Sequence, residues 1–310
     1  MLRVSAWSLG SSCVLLGAAL AFGGGCSAGK GNTGGDDGQG GDPSHAGGAG
    51  GTGSGFQTGG GDAGGGAPVD DCIDNAKLIY VLSVDYELFS FDPDTPGTAA
   101  YKSVGPLNCD SFGAPQSMAV DRSGTAWVFY DSGELFKVST LDASCQPTNY
   151  QHPNPQAFNQ LGMGFTAAAA NSKEEVLYIV SPIFGLATVD TSTMVVSMKN
   201  TLAQAAELTG GPDAKLFRFA ADNAELDEIV IGNFSTNWLH TFNELSGTGA
   251  WAFSRYAGKF YLFTSPDGVT PSRTTVFDPV TNQSSVRDAN VGFPIVGAGQ
   301  STCVPPPPPS

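Results

Sequence analysis

The chain has 310 residues with 14 Lys+Arg against 29 Asp+Glu, a formal net charge of −15, and only 14% of its residues are charged. Of its 42 Gly, 22 fall between Gly23 and Gly66, so the composition describes two populations; beyond residue 66 there remain about 240 residues with 12 Lys+Arg and 25 Asp+Glu, enough for one large domain or two small ones. A surface that acidic repels phosphate backbones and anionic headgroups, which argues against nucleic acid as a partner.

Residues 1–25 read as a secretory signal. Arg3 supplies the positive start, and the stretch from Cys13 to Phe22 (CVLLGAALAF) supplies a short apolar core. That core is too short and too interrupted for a membrane-spanning helix, which needs about 20 apolar residues. Two exits fit. Ala19-Leu20-Ala21 satisfies the small-x-small rule of ordinary signal peptidase, and Gly23-Gly24-Gly25-Cys26 resembles a bacterial lipobox, with Gly23 standing where Leu is usual. The resemblance implies a lipidated Cys26 as the mature N-terminus. Ser27 after it resembles lipoproteins released to the outer membrane, so the expected location is the outer membrane or cell surface, or the periplasm or medium if cleavage follows Ala21.

Residues 26–70 form a Gly-rich spacer in which Phe56 is the one large apolar side chain before Val69. Such a segment cannot bury enough surface to offset the entropy of ordering, so it is expected to be disordered. At roughly 5–6 Å × √n, some 40 such residues give an end-to-end distance near ~35 Å, a tether long enough to hold a domain clear of a membrane. Residues 71–303 are the expected folded domain, and residues 304–310 a Pro-rich tail.

Within the domain, helical periodicity is nearly absent and one pattern recurs: a small-residue segment, a β-rich run, a turn, and a second β-rich run. The first runs are KLIYVL (from Lys77), TAWVFY (Thr125), VLYIVS (Val176), KLFRFA (Lys215) and KFYLFT (Lys259), with Tyr80, Trp127, Tyr178, Phe217 and Tyr261 in register. The second runs start at Glu87, Glu134, Gly185 and Thr274. Three of them close with Asp-x-x-Thr at Asp92, Asp190 and Asp278, where the carboxylate is placed to accept from backbone N–H groups and start a turn. The fourth unit is degenerate, with IVIGNF (from Ile229) its best candidate. Small segments precede the later first runs: SMAVDRSG (Ser117), FTAAAANS (Phe165), ELTGGPDA (Glu207) and AFSRYAGK (Ala252). The first unit lacks one, and a fifth, IVGAGQST (Ile295), stands alone at the C-terminus.

Repeats of 40–50 residues with about four strands each predict an all-β fold, a β-propeller. The stranded fifth segment predicts five blades, with the ring closed by pairing N- and C-terminal strands in one blade; a β-sandwich gives no reason for the displacement. Setting aside Cys13 and Cys26, four Cys remain, which in an exported chain suggests two disulfides with three possible connectivities. Closure chooses among them. Cys72 precedes the first run and Cys303 follows the last inner segment, so these two should meet, leaving Cys109 with Cys145.

The segments SMAVDRSGTAWV (Ser117 to Val128), GLATVDTST (Gly185 to Thr193), AELTG (Ala206 to Gly210) and IVGAGQSTC (Ile295 to Cys303) resemble myxobacterial-type lipoproteins that carry a lipobox-like Cys, a Gly-rich spacer and a propeller-like domain. More distantly the blades look like NHL or YVTN propellers. The resemblance implies a membrane-tethered, monomeric binding or scaffold module for a protein, glycan or small ligand, and it supplies no catalytic residue.

The chemistry on offer is sparse. No cofactor motif and no metal-ligand spacing appear, and the paired carboxylates Glu174-Glu175 and Asp227-Glu228 read as solvated strand edges. A secreted lyase or hydrolase with its site at the propeller mouth is the alternative; streptogramin lyase, a propeller enzyme of similar appearance, depends on a His and a metal-held substrate. Here the domain offers only His152 and His240, which read as surface or packing residues. For a binding function, the loops on one face of the ring carry Tyr86, Asp110, Phe112, Tyr130, Asp131, His152, Phe158 and Phe184, aromatics interleaved with carboxylates that suit a sugar or peptide.

Overall fold

Each first run alternates large apolar side chains with no polar face, so both of its faces must be covered by neighbours. The computed structural model describes residues 72–151 and 160–308. The signal segment, Cys26, the spacer up to residue 70, His152 and Phe158 lie outside the described residues. Among those described, the strands follow in chain order as β1 (Ile79–Ser83), β2 (Glu87–Phe91) and β3 (Tyr101–Pro106); β4 (Pro115–Val120), β5 (Thr125–Tyr130), β6 (Leu135–Ser139) and β7 (Cys145–Pro147); β8 (Gly162–Ala167), β9 (Glu175–Ser181), β10 (Gly185–Val189) and β11 (Val196–Asn200). They continue as β12 (Glu207–Gly210), β13 (Leu216–Ala220), β14 (Glu225–Val230) and β15 (Ser235–Thr241); β16 (Ala250–Tyr256), β17 (Lys259–Ser265), β18 (Arg273–Asp278) and β19 (Gln283–Asp288); and finally β20 (Ile295–Gln300).

Four sheets are consecutive meanders, β4 to β7, β8 to β11, β12 to β15 and β16 to β19, while the fifth has the order β20-β1-β2-β3. All pairings are antiparallel, and β20 lies on β1 with Ile79 opposite Gln300, Val81 opposite Ala298 and Leu82 opposite Gly297. The inner strands adjoin in a ring, β20 to β4, β4 to β8, β8 to β12, β12 to β16 and β16 back to β20. The domain is a five-bladed β-propeller closed by both chain ends, as the displaced segment at Ile295 predicted.

Period-two alternation explains why the sheets pack as a ring. In β5, Ala126, Val128 and Tyr130 join Tyr80 and Leu82 of the blade before, while Trp127 and Phe129 join Leu177 and Ile179 of the blade after. The same division recurs in β9, β13, β17 and β1, so the core is five apolar seams between adjacent blades. Small residues on the inner strands let neighbouring backbones touch. A Cβ on Gly162 would overlap the Ala206 carbonyl oxygen, and one on Gly164 would lie 2.8 Å from the Leu208 carbonyl. The Asp-led turns form as expected: Asp190 accepts from the Ser192 and Thr193 N–H groups at 2.9 Å each, and Asp92 from the Asp94 N–H at 3.0 Å and the Thr95 hydroxyl at 2.7 Å.

Some expectations shift. The inner strand β8 is Gly162–Ala167, so all but the first Ala of the AAAAN run mark the turn after it rather than the strand. The degenerate unit uses ELDEIV (Glu225–Val230) as its second run, hidden by three acidic residues, and Ile231–Phe234 is the turn. The carboxylate pairs alternate, but one member of each is inside: Asp227 is 3% exposed and held by Arg218 at 2.7 Å, and Glu175 accepts from the Arg122 N–H at 2.8 Å and the Thr302 hydroxyl at 2.7 Å. The tail also packs. Val304 is buried beside the first and last blades, and the Pro305 carbonyl accepts from the Ala257 N–H at 3.2 Å.

Both disulfides are present as Cys72–Cys303, with a sequence separation of 231, and Cys109–Cys145, with one of 36. By the chain-entropy relation the long bridge stabilises by about 5 kcal/mol and the short one by about 4. Urea denaturation of a Cys72→Ala/Cys303→Ala chain should therefore show the larger loss relative to Cys109→Ala/Cys145→Ala. The reverse order would contradict a ring held shut at its ends.

Candidate functional site

Inner strands of a propeller all run the same way, so their first residues meet at one mouth of the central channel. Here that mouth is a depression of about 150 Å³ whose wall takes Gln116 from β4, Leu161 from the approach to β8, Glu207 from β12, Trp251 from β16 and Val296 from β20. Every blade contributes.

Deeper in the ring the channel is filled by polar side chains that satisfy one another. The Gln300 amide donates to the Gly210 carbonyl at 2.7 Å, and its oxygen accepts from Thr209 at 2.8 Å and from the Ser254 hydroxyl. At the far end Arg255, held by Asp213 at 2.8 Å, lies beside Gly258, Pro305 and Pro307 of the docked tail. The mouth is therefore blind, open on one face and plugged beneath.

Glu207 is the ionisable group in the mouth wall. Only 6% of it is exposed, and it accepts a hydrogen bond from the Ser117 hydroxyl at 2.7 Å across the ring. Burial pushes its pKa well above the usual carboxylate value, opposed by the hydrogen bonds from Ser117 and the Met163 backbone. Reading the chain as sequence gave Glu207 no role; it stood only as the first letter of a small-residue segment. Nothing local distinguishes it, because its partners Ser117 and Met163 come from other blades.

The loops expected to carry a ligand do lie on the mouth's face, since they join β1 to β2, β3 to β4, β5 to β6 and β9 to β10. None of their named residues lines the central depression. Tyr86 sits at the tip of the β1–β2 turn with φ 63°, Asp110 is exposed, and Phe112 projects fully into solvent. Asp131 fastens the β3–β4 loop, accepting from the Ala114 N–H at 2.8 Å, while Ser111 of that loop donates to Glu134 at 2.8 Å. Cys109–Cys145 ties the same loop to β7, so the rim of the first two blades is braced. Tyr130 differs from expectation: it closes β5, is 1% exposed and packs edge-on to Phe136, which makes it a core residue. Phe184 is half-buried against the second seam.

Catalytic constellations are scarce. His240 meets Phe242 edge-on and lies tilted against Phe277, with Nδ1 3.1 Å from Asn282 Oδ1, which fits a packing role. Among the described residues no group of three or more His, Cys, Asp or Glu could hold a metal ion, and no helix is long and apolar enough to cross a membrane. The two disulfides are compatible with an extracytoplasmic protein.

No protein-family model matches the chain, and no curated protein matches it. Among solved structures it is similar to one in a nidogen/laminin complex, at 7% identity over 72% of this chain and 97% of that one, TM-score 0.46. It is also similar to a protein of unknown function from Bacteroides thetaiotaomicron, at 12% identity over 68% and 58%, TM-score 0.43. A third is a catalytically inactive virginiamycin B lyase from Staphylococcus aureus with quinupristin, at 13% identity over 71% and 72%, TM-score 0.38. None of these carries a function to this chain.

Because the folded-state pKa of Glu207 is raised, its contribution to stability is fully present below the unfolded value and is lost as pH rises through the folded one. Glu207→Gln removes that loss. Thermal melts should show the variant gaining on the wild type between pH 4.5 and 8.5, and a difference constant across that range would contradict a buried, titrating carboxyl.

Proposed function

We propose that this protein is an exported binding module that takes a small ligand, or the end of a larger one, at the blind mouth of its propeller. The observation that carries the reading is Glu207. An apolar side chain would suit a buried wall better, and desolvating a carboxyl is costly unless the group has work to do there. The mouth adds the polar chains of Gln116 and Gln160 and the indole of Trp251, which is the mix of few polar groups on an apolar wall that small-molecule sites favour. The lower end is filled by Gln300 and the docked tail, so the loop face is the side a ligand can approach.

The signal and the Gly-rich spacer support a membrane-tethered form in which Cys26 carries lipid. The intact mass of the membrane-fraction protein tests this: a diacylglyceryl-modified N-terminus at Cys26 is expected, and a chain beginning at Phe22 would reject the anchor.

A second reading rests on Phe112, an aromatic ring fully exposed on a loop braced by Cys109–Cys145 that also carries the exposed Asp110. It makes the rim a contact for a protein or glycan. Glycan arrays and thermal-shift screening of the full chain, repeated with Ala250→Trp to fill the mouth and with Phe112→Ala to strip the rim, separate the two. The mouth reading expects a ligand lost by about tenfold or more in Ala250→Trp and kept in Phe112→Ala, a change of ~1.4 kcal/mol. The opposite pattern would move the site to the rim.

A further inference from the structure

The hydrogen bonds to Glu207 come from donors, the Ser117 hydroxyl at 2.7 Å and the Met163 backbone. The Met163 N–H can only donate, which suits the carboxylate, whereas the Ser117 hydroxyl donates to the carboxylate or accepts from the protonated carboxyl, so the site holds either form. Among the described residues the ionised form has no positive charge beside it. The elements packed around Glu207 do not provide one. β4, β8 and β20 carry no charged side chain. On β13, Arg218 is taken by Asp227 at 2.7 Å and Gln204 at 2.8 Å; on β16, Arg255 is taken by Asp213 at 2.8 Å; on β9, Glu175 is engaged by Thr302 and Arg122. Among the described residues no basic side chain lines the depression.

We propose that the mouth binds a small organic ammonium group, which pairs with the Glu207 carboxylate and replaces its proton. This rests on the reading of the mouth as the binding site. A single carboxylate with amide neighbours is too few oxygen ligands for calcium, which takes six to eight, and offers none of the Cys or His ligands that zinc favours. An ammonium head needs only acceptors and a soft wall, and indole rings such as Trp251 attract such cations. The depression of about 150 Å³ has room for a head group, and the net charge of −15 draws cations toward the surface. The step is a proton exchange: the carboxyl O–H proton leaves to solvent, and the cation takes its place beside the carboxylate.

Burial keeps Glu207 protonated to higher pH than an ordinary carboxyl, so binding must draw on its ionised fraction. Apparent affinity then falls about tenfold for each pH unit below the Glu207 pKa. The test is calorimetry of the full chain with ethylammonium, choline and spermidine, with methyl glucoside as the neutral control, at pH 5.5, 7.0 and 8.5. At least one ammonium probe is expected to bind, more tightly at pH 8.5 than at pH 5.5, with proton release seen as a heat that depends on the buffer. Glu207→Gln should lose this binding. Since that variant changes a buried group, Ser117→Ala serves beside it: without the hydroxyl donor the carboxylate is less favoured, so the pH profile should move to higher pH while binding persists. Affinity equal at pH 5.5 and 8.5, binding that survives Glu207→Gln, or no ammonium binding at any pH would overturn the proposal. If methyl glucoside binds and Ala250→Trp removes it while the ammonium probes fail, the mouth remains the site and the ammonium class falls.

Discussion

The antiparallel ladder between β1 and β20 is the contact on which the rest of the molecule depends. Every other blade is a local meander whose four strands follow within some forty residues, but this one joins residues near 80 to residues near 300. Without it β4 and β16 would each lose a neighbour, the seam holding Ile79, Val81, Ala252 and Ile295 would open, and the ring of inner strands would become an arc. Open sheet edges are an aggregation liability, and closure removes the two that an arc would expose. Cys72–Cys303 and Ser301 on the Ala76 carbonyl fasten the same junction from the side opposite the mouth, and Thr302 on Glu175 ties the chain end to the blade of β9.

Closure also makes the mouth. Five inner strands converge only in a complete ring, and their convergence removes Glu207 from water while leaving it at the floor of an opening. Polar groups one or two positions further along, Thr209, Ser254 and Gln300, pair with each other and leave no such potential unused. The contrast between a satisfied plug and a buried carboxyl just above it, with no cationic partner among the described residues, distinguishes the mouth from the remainder of the channel.

The architecture was legible because propeller cores are written locally. Alternating runs at Tyr80, Trp127, Tyr178, Phe217 and Tyr261 announce a strand buried on both faces, the Asp-led turns announce its neighbours, and the misplaced segment at Ile295 gave the closure and with it the disulfides. The outer strands were harder to see. YKSVGP, VSMKN and QSSVRD have a solvent edge and little apolar content, so no hydrophobic period marks them. β14 was obscured for a related reason, since Asp227 is charged yet buried against Arg218, and pattern reading takes such a residue as exposed. The site was least legible. An aromatic in a turn can face water, as Phe112 does, or close a core, as Tyr130 does, and the two look alike in one sequence. Glu207 becomes notable only through Ser117 and Met163, residues 90 and 44 positions away.

Hydrogen exchange on the disulfide-intact chain tests the closure most directly. If the ring is one cooperative unit, amides of Ile295–Gln300 and Ile79–Ser83 exchange as slowly as those of the inner strands Pro115–Val120 and Glu207–Gly210, through a shared global opening. Fast exchange confined to the last strand, with the other inner strands still protected, would show a detachable tail laid on an otherwise self-sufficient arc and would contradict the account.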